Sequence, residues 1–333
     1  MLFNVDGFVF SVLVFFLFLS PLENNSMKEI GKHIIWVILT LFASCQETKK
    51  VNSNSDKEAV EEVHTVFVSN YPLRFFAEQI AGETVKIIFP ADGSGDPAFW
   101  KPSIDQISEM QQVDLIFLNG AGYENWLNNI SLPNDKVVVT SEAFKEEIIT
   151  FKEAVTHNHG PEGEHAHETE AFTVWLNLKL ALVQAKTINE SLIENFPEQK
   201  ELYNQNFKKL ETKLKELDNN LTTVLSGFEG ELLFSHPVYQ YLKSAYNLQG
   251  KSLHWEPNQT LDKTALHDLE HQLEHYPYKW IIWENKPIPE SVSKLEEKGV
   301  KSIVFEPCST SPVSGDFITV MDNNIKNLKV LNQ

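Results

Sequence analysis

The sequence predicts an α/β protein with two open, layered α/β lobes joined by a long rigid helix. In both halves of the chain, short apolar runs rich in β-branched and aromatic residues alternate with helix-like stretches. Strands separated by helices indicate βαβ units and layered sheets. Between the halves, residues 175–228 contain almost no glycine and the single proline Pro197, and from Leu202 to Leu221 apolar residues recur every three to five positions. This pattern predicts helices in the middle of the chain.

The first half predicts a sheet whose strands are buried on both faces, because its apolar runs are nearly continuous. A helix is predicted over residues 71–82, closed by Gly82, and another over 103–112. The predicted strands are residues 65–69, 85–90, 113–119 and 136–140.

The second half repeats the same alternation after a helix that runs from about Pro197 to Leu225. Such a helix is about 40 Å long and suits a rigid connection better than a flexible hinge. The strands predicted beyond it are residues 231–235, 249–253, 279–284 and 301–306, and the helices are 263–275, 289–298 and 316–329.

The first 45 residues indicate export. An apolar run over 33–43 ends in small residues directly before Cys45, as in a secretion signal whose cysteine becomes lipidated. Residues 1–26 are then an extension from a misplaced start codon. Two transmembrane helices are the alternative, but both apolar runs fall at or below the length of a bilayer span. We expect a signal region over 1–45 and a flexible tether over 46–62.

The length of the chain predicts more than one domain. The remaining part of the chain, roughly 290 residues, is more than one compact core usually holds. We therefore expect a first lobe over 63–196, a linking helix over 197–228 and a second lobe over 229–333.

Charge and cysteine content limit the possible partners and cross-links. The net charge of -18 argues against nucleic acid and anionic membrane surfaces as partners and suits cation binding. Of two cysteines, Cys308 has no partner if Cys45 carries lipid, so no disulfide is expected.

A histidine tract points to a transition metal. His157, His159, His165 and His167 lie within residues 156–168 of an otherwise histidine-poor chain. Imidazole is a ligand for zinc, copper and nickel, and paired histidines two residues apart in extended backbone project to one side. The alternative is a disordered polar loop.

Five segments together resemble one protein family. They are NYPLRFFAEQIAG (70–82), GDPAFWKPS (95–103), DLIFLNGAGYENWL (114–127), FSHPVYQYL (234–242) and GDFITVMDNNIKNL (315–328). From about Val66 to Leu328 the chain resembles the zinc- and manganese-type (ZnuA/TroA-like) metal-binding lipoproteins of ABC importers. The resemblance implies the metal-type ABC solute-binding protein fold, with two four-stranded lobes and a metal in the cleft between them. It also implies delivery to an ABC permease by a monomer, lipid-anchored at the periplasmic or outer face of a bacterial membrane.

The resemblance also implies a ligand set that this chain keeps only in part. The family's site has three histidines and one carboxylate. His236 and Glu306 match the last two positions, whereas Ala98 and Thr173 stand where the first two histidines are usual. Alanine has no donor atom and a threonine hydroxyl is a poor zinc ligand.

Other side chains must therefore complete a tight site. We expect His165 and His167, or alternatively His157 and His159, to join His236 and Glu306. His254 is equally a ligand or a structural residue, and Glu256 is a cleft residue or the cap of helix 263–275. Glu284 is expected to orient a ligand. The aromatic residues Phe99, Trp100, Tyr123 and Trp126 wall the cleft or fill the core, and Cys308 is a buried hydrophobe or a soft ligand.

The sequence thus predicts an extracytoplasmic protein that captures zinc, or else manganese or another divalent transition metal. Alternatives are a metal chelate or small organic cargo, a surface metal buffer or adhesin, and a zinc-dependent hydrolase. The hydrolase is disfavoured because the chain has no His-Glu-x-x-His or Gly-x-Ser-x-Gly motif. Because histidine ligands must be neutral, metal affinity should fall as the pH drops through the imidazole range, near about 6.5. His267, His271 and His275 recur every four residues and are expected on a solvated helix face.

Overall fold

Two four-stranded parallel sheets organise the computed structural model, which describes residues 63–90, 97–152 and 168–333. The first has the order β2-β1-β3-β4 and the second β10-β9-β7-β8, while β5 and β6 form an antiparallel hairpin. In chain order the strands are β1 (His64–Val68), β2 (Val85–Ile88), β3 (Leu115–Leu118), β4 (Val137–Val139), β5 (Thr150–Lys152), β6 (Glu168–Glu170), β7 (Glu231–Phe234), β8 (Gln249–Ser252), β9 (Trp280–Trp283) and β10 (Lys301–Val304).

Helices α1 (Tyr71–Ala81) and α2 (Ile104–Gln112) accompany the first sheet, as the sequence predicts. Local chemistry sets their ends. The Asn70 side chain accepts a hydrogen bond from the Leu73 N–H, and Ser103 forms a capping box. Helix α1 ends before Gly82, whose φ of 61° lies in the left-handed region that glycine tolerates.

Helices α3 (Leu178–Asn195) and α4 (Lys200–Leu225) follow. The predicted long helix starts three residues later than expected, because Pro197 opens a 3₁₀ turn. Helix α4 is held at both ends: Tyr203 Oη lies 3.0 Å from Thr84 Oγ1, and the Tyr246 hydroxyl donates to Asp218 Oδ1 at 2.8 Å. Since these partners belong to opposite halves of the chain, α4 is a rigid connection.

The second sheet is flanked by α5 (Gln240–Ala245), α6 (Lys263–His275), α7 (Pro289–Glu297) and α8 (Phe317–Leu328). Patterning predicted the last three and missed α5, which has only six residues. The N-cap of α6 is Asp262, whose carboxylate accepts from the Ala265 N–H at 2.8 Å. Glu256 therefore does not cap this helix, and that alternative was wrong.

The two α/β halves contact one another directly. Trp175 Nε1 donates to the Pro307 carbonyl at 2.7 Å, and the Phe317 ring packs against Phe75 and Phe76. The predicted fold class, two α/β lobes joined by a rigid helix, is confirmed. None of the described helices combines the length and apolar composition needed to cross a membrane. The predicted signal region, Cys45 and the tether lie outside the described residues.

Candidate metal site

A cavity of about 420 Å³ lies where the second sheet meets the hairpin β5–β6 and the segment after it. We call it the cleft cavity. Its walls carry polar groups from the second half and mostly apolar ones from the first. The lining residues are Phe99, Phe151, Glu170, Ala171, Phe172, Thr173, His236, Pro237, Val238, Gln240, His254, Glu256 and Glu284.

Strand register brings the polar lining residues together. Phe234 of β7 pairs with Ile282 of β9 and with Ser252 of β8. Two residues beyond these paired positions, where the three strands have ended, come His236, Glu284 and His254. Neighbours in register share a face of a sheet, so these three side chains lie on the same face. The pairing continues past the strand ends, because Ser235 N donates to Ile282 O, Leu253 N to Phe234 O and Trp255 N to Ser235 O, each at 2.8 Å.

Glu256 joins the same face, because it lies two residues beyond His254 in the extended segment after β8. The alternate residues Leu253 and Trp255 are buried in a hydrophobic cluster with Trp283. This apolar contact fixes the segment and leaves His254 and Glu256 lining the cavity, the shared side that the sequence predicted.

His236 is the centre of the site. Its Nδ1 lies 3.8 Å from Glu256 Oε1 and 3.8 Å from Glu284 Oε1. The Nδ1 atom is buried and has no hydrogen-bond partner among the residues that the structure describes. One ligand atom from each of these three residues lies within 4.8 Å of the others. The three groups are close enough together to hold one metal ion.

The donor set suits zinc. Imidazole nitrogen and carboxylate oxygen bind Zn²⁺ at about 2.0–2.2 Å, which places tetrahedral ligand atoms roughly 3.4 Å apart. The three side chains must converge by less than about 1.5 Å to reach that geometry. His254 is exposed, and its ring centroid is 5.8 Å from that of His236 at an interplanar angle of 75°. It is the nearest further imidazole within the described ranges.

Tyr239 is fully buried and feels the charges of two carboxylates, Glu284 and Glu306. Burial, and then the charges of Glu284 and Glu306, raise the pKa of its phenol well above 10. The hydroxyl therefore stays protonated, and it donates to the Phe305 carbonyl at 2.8 Å.

Glu306 does not line the cleft cavity. It lines a separate cavity of about 210 Å³ together with Asn285 and Val304. The reason is register: Val304 pairs with Trp283, so Glu306 is in register with Asn285 and one position out of step with Glu284. Side chains alternate faces along a strand, so the two carboxylates point to opposite sides of the sheet. Burial raises the pKa of Glu306, and its backbone bonds to the Asn324 side chain.

The two positions where the resemblance expects histidines have different surroundings. Ala98 is buried at 1 % exposure and lines a groove on the first half with Trp100 and Trp126. The Trp100 ring packs on Phe67 and Trp126, so it fills this aromatic cluster and does not wall the cleft cavity. Thr173 does line the cleft cavity, and its hydroxyl donates to the Val238 carbonyl at 2.6 Å.

The histidine tract lies outside the described residues, between β5 and β6; its members are His157, His159, His165 and His167. These strands pair as a hairpin, and Phe151 and Glu170 within it line the cleft cavity.

Cys308 is 2 % exposed in the hydrophobic core, and burial raises the pKa of its thiol, with a further contribution from Glu306. It is packed as a small hydrophobe.

Comparisons with known proteins give a consistent result. A family model named ZnuA and described as "Zinc-uptake complex component A periplasmic" matches residues 66–330. The zinc-binding lipoprotein AdcA of Streptococcus pneumoniae is 25% identical over 315 residues, 91% of this chain and 61% of AdcA. The chain therefore spans about three fifths of that relative's length. The high-affinity zinc uptake system protein ZnuA of Bacillus subtilis is 27% identical over 302 residues, 86% of this chain and 83% of ZnuA.

Solved structures share the fold. The metal-dependent lipoprotein YcdH of Bacillus subtilis has a TM-score of 0.68 at 22% identity, covering 80% of this chain and 98% of YcdH. The Zn(II)-bound ZnuA-like domain of Streptococcus pneumoniae AdcA has a TM-score of 0.67 at 20% identity, covering 81% of this chain and 99% of that domain.

Proposed function

We propose that this chain, which belongs to the ZnuA family of periplasmic zinc-uptake components, captures a zinc ion in the cleft cavity and delivers it to the permease of an ABC importer. His236, Glu256 and Glu284 are the proposed ligands from the second half. The single observation that carries the proposal is the buried, unpartnered Nδ1 of His236 with two carboxylate oxygens at 3.8 Å.

Charge and chemistry support zinc as the cargo. Two carboxylates beside one imidazole give the site a net negative charge, which favours a divalent cation. Mixed nitrogen and oxygen ligands suit zinc, while manganese prefers oxygen donors and binds more weakly to a given site. The relatives named as zinc-binding proteins support the same choice.

A fourth ligand completes a tight zinc site. His254 is one candidate, since its ring lies beside that of His236. The tract from His157 to His167 is the other, because the strands that bracket it include cleft-lining residues. We propose His165 and His167 first from the tract, and His157 and His159 as the alternative pair.

The proposed role is transport and not catalysis. The names of the relatives describe zinc binding and zinc uptake, and AdcA of Streptococcus pneumoniae is named as a lipoprotein. A lipid on Cys45 would keep the protein near its permease at a bacterial membrane, where a monomer suffices to present the ion. Treatment of cells with labelled palmitate, comparing wild type with Cys45→Ala, tests the anchor.

Zinc calorimetry on the purified protein tests the site. We expect His236→Gln, Glu256→Gln and Glu284→Gln each to weaken zinc binding by about tenfold or more, equivalent to roughly 1.4 kcal/mol. Glu306→Gln is the matched control: it removes the same charge from the neighbouring strand end but from the other cavity. A loss with Glu306→Gln as large as with Glu284→Gln would overturn this ligand set in favour of His236 with Glu306.

Two further variants assign the fourth ligand. His254→Gln and a deletion of residues 156–168 should weaken zinc binding to different extents, because only one of them removes a direct ligand. If the deletion abolishes zinc binding while His236→Gln leaves it intact, the tract binds zinc alone and the cleft site is wrong.

The size of the cavity favours one second candidate. A volume of about 420 Å³ exceeds the roughly 30 Å³ of one water many times over, so a metal chelate would also fit. Binding of zinc alone should then be weak and should strengthen when a small polycarboxylate chelator is added. Equal or weaker zinc binding in the presence of citrate supports the bare ion.

A further inference from the structure

We propose that His271 and His275 on the outer face of α6 form a second binding site for a divalent transition-metal ion. The site goes beyond the proposed function and shares no residue with the cleft cavity. It would take copper, nickel or zinc, which are the ions that imidazole pairs prefer.

The geometry of the pair supports this site. Residues four apart on an α-helix lie on one face, about 5–6 Å apart at Cβ. The rings of His271 and His275 have centroids 4.7 Å apart at an interplanar angle of 70°. Two helical histidines at this spacing can bind one zinc ion, as in metalloprotease helices. Both side chains are exposed, so hydrated metal can reach them.

The helix face around the pair carries oxygen donors. Counting back from His275, the positions on the same face are Glu274, His271, Glu270 and His267, all exposed. Glu270 is bonded to Lys298 and is therefore committed to that ion pair. Glu274 lies three residues after His271, a neighbouring position on the helix surface, from which it can hold a metal-bound water.

The helix itself is a rigid support. Leu269, on the opposite face, is fully buried in a cluster with Trp255 and Trp283, and Asp262 caps the N-terminus. Lys251 donates to Gln272 at 2.9 Å, which ties the last turns to the second sheet. A fixed helix keeps the two imidazoles at chelating distance and reduces the entropy lost on binding.

The site is expected to be weaker than the cleft. Two imidazoles leave most positions around the ion to water, whereas tight zinc sites use three or four protein ligands. Copper is the best probe, since divalent copper binds a given nitrogen site most tightly of the common first-row ions.

Copper titration with electron paramagnetic resonance tests the pair. The background is the full chain with His236→Ala and residues 156–168 deleted, which removes the cleft centre and the tract. We expect one bound Cu²⁺ with two nitrogen ligands. His271→Gln and His275→Gln should each weaken its binding by about tenfold or more, or roughly 1.4 kcal/mol.

His267→Gln is the matched control. His267 is also four residues from His271, so a loss with His267→Gln equal to that with His275→Gln would overturn the assignment, as would the absence of a two-nitrogen signal. If the background variant does not fold, the wild-type protein with isotope-labelled histidines serves. Cu²⁺ added beyond the amount that saturates the cleft and the tract should broaden the His271 and His275 resonances before that of His267, and equal broadening of all three overturns the proposal. Zinc transport and cleft calorimetry should not change with His275→Gln, so the two proposals fail independently.

Discussion

The hydroxyl of Thr173 donates a 2.6 Å hydrogen bond to the backbone carbonyl of Val238. Thr173 follows the hairpin of the first half, and Val238 follows β7 of the second, so this bond joins the two halves at the wall of the cleft cavity. The resemblance implies a metal-binding histidine at the position of Thr173. In this chain the residue there forms a hydrogen bond between the two halves instead.

Removing that hydroxyl should destabilise the protein. We expect Thr173→Val to lower the free energy of unfolding by about 1–2 kcal/mol, because the partly buried Val238 carbonyl loses its donor while the volume is kept. Urea denaturation measures the change. Thr173→Ser retains the hydroxyl and is the control, and an equal loss in both variants would show that packing and not the hydrogen bond is responsible.

Zinc should raise the melting temperature. A ligand that binds only the folded state adds about 2.7 kcal/mol of stability at a concentration of 100 times its Kd. Thermal denaturation with and without zinc measures the shift, and a chelator should reverse it. Glu284→Gln should reduce the shift, while Glu306→Gln should preserve it because its carboxyl lies outside the cleft cavity. Histidines that bind zinc in the unfolded chain would reduce the effect in all variants alike.

Glu124 should make stability depend on pH. Burial raises the pKa of this carboxyl from 4.5 to about 7, even though the Asn119 and Gly120 N–H groups donate to it at 2.6 and 3.0 Å. The folded state therefore holds the proton more tightly than the unfolded chain. Its contribution to stability is present below about pH 4.5 and is lost as the pH rises to about 7, at most roughly 3 kcal/mol.

A matched pair of variants isolates that contribution. Glu124→Gln cannot titrate, so the difference in unfolding free energy between wild type and this variant should change across that pH window. Glu142→Gln, which removes an exposed carboxyl, 66% accessible and paired with Lys145, is the control for the loss of a carboxylate charge from the surface. A flat difference for Glu124→Gln would place the pKa of the carboxyl near its ordinary value.

The loss of stability caused by a leucine-to-alanine substitution in α4 should depend strongly on whether the buried or the exposed face is altered. Leu214 is fully buried, and Leu202 on the same helix is 39 % exposed. We expect Leu214→Ala to cost about 2–5 kcal/mol through lost contacts and the cavity left behind, and Leu202→Ala about 0.5 kcal/mol or less. Similar costs for both would mean that α4 is not held between the two halves as described.

Local patterning predicted most of the fold. Continuous apolar runs such as residues 113–119, and apolar residues every three to five positions along α4, specify strand or helix from neighbours in sequence. Capping residues such as Ser103 and Gly82 set ends in the same way. The short helix α5 escaped because six residues give too few turns for a period to be read.

The resemblance singled out His236 and implied its place in a metal cleft. Which carboxylates accompany it was decided only by tertiary structure. Glu284 and Glu306 both end apolar strands, and nothing local separates them. The register between β9 and β10 places them one position out of step, and side chains alternate faces along a strand. Residues far apart in the chain thus meet or miss through a pairing that no single segment encodes.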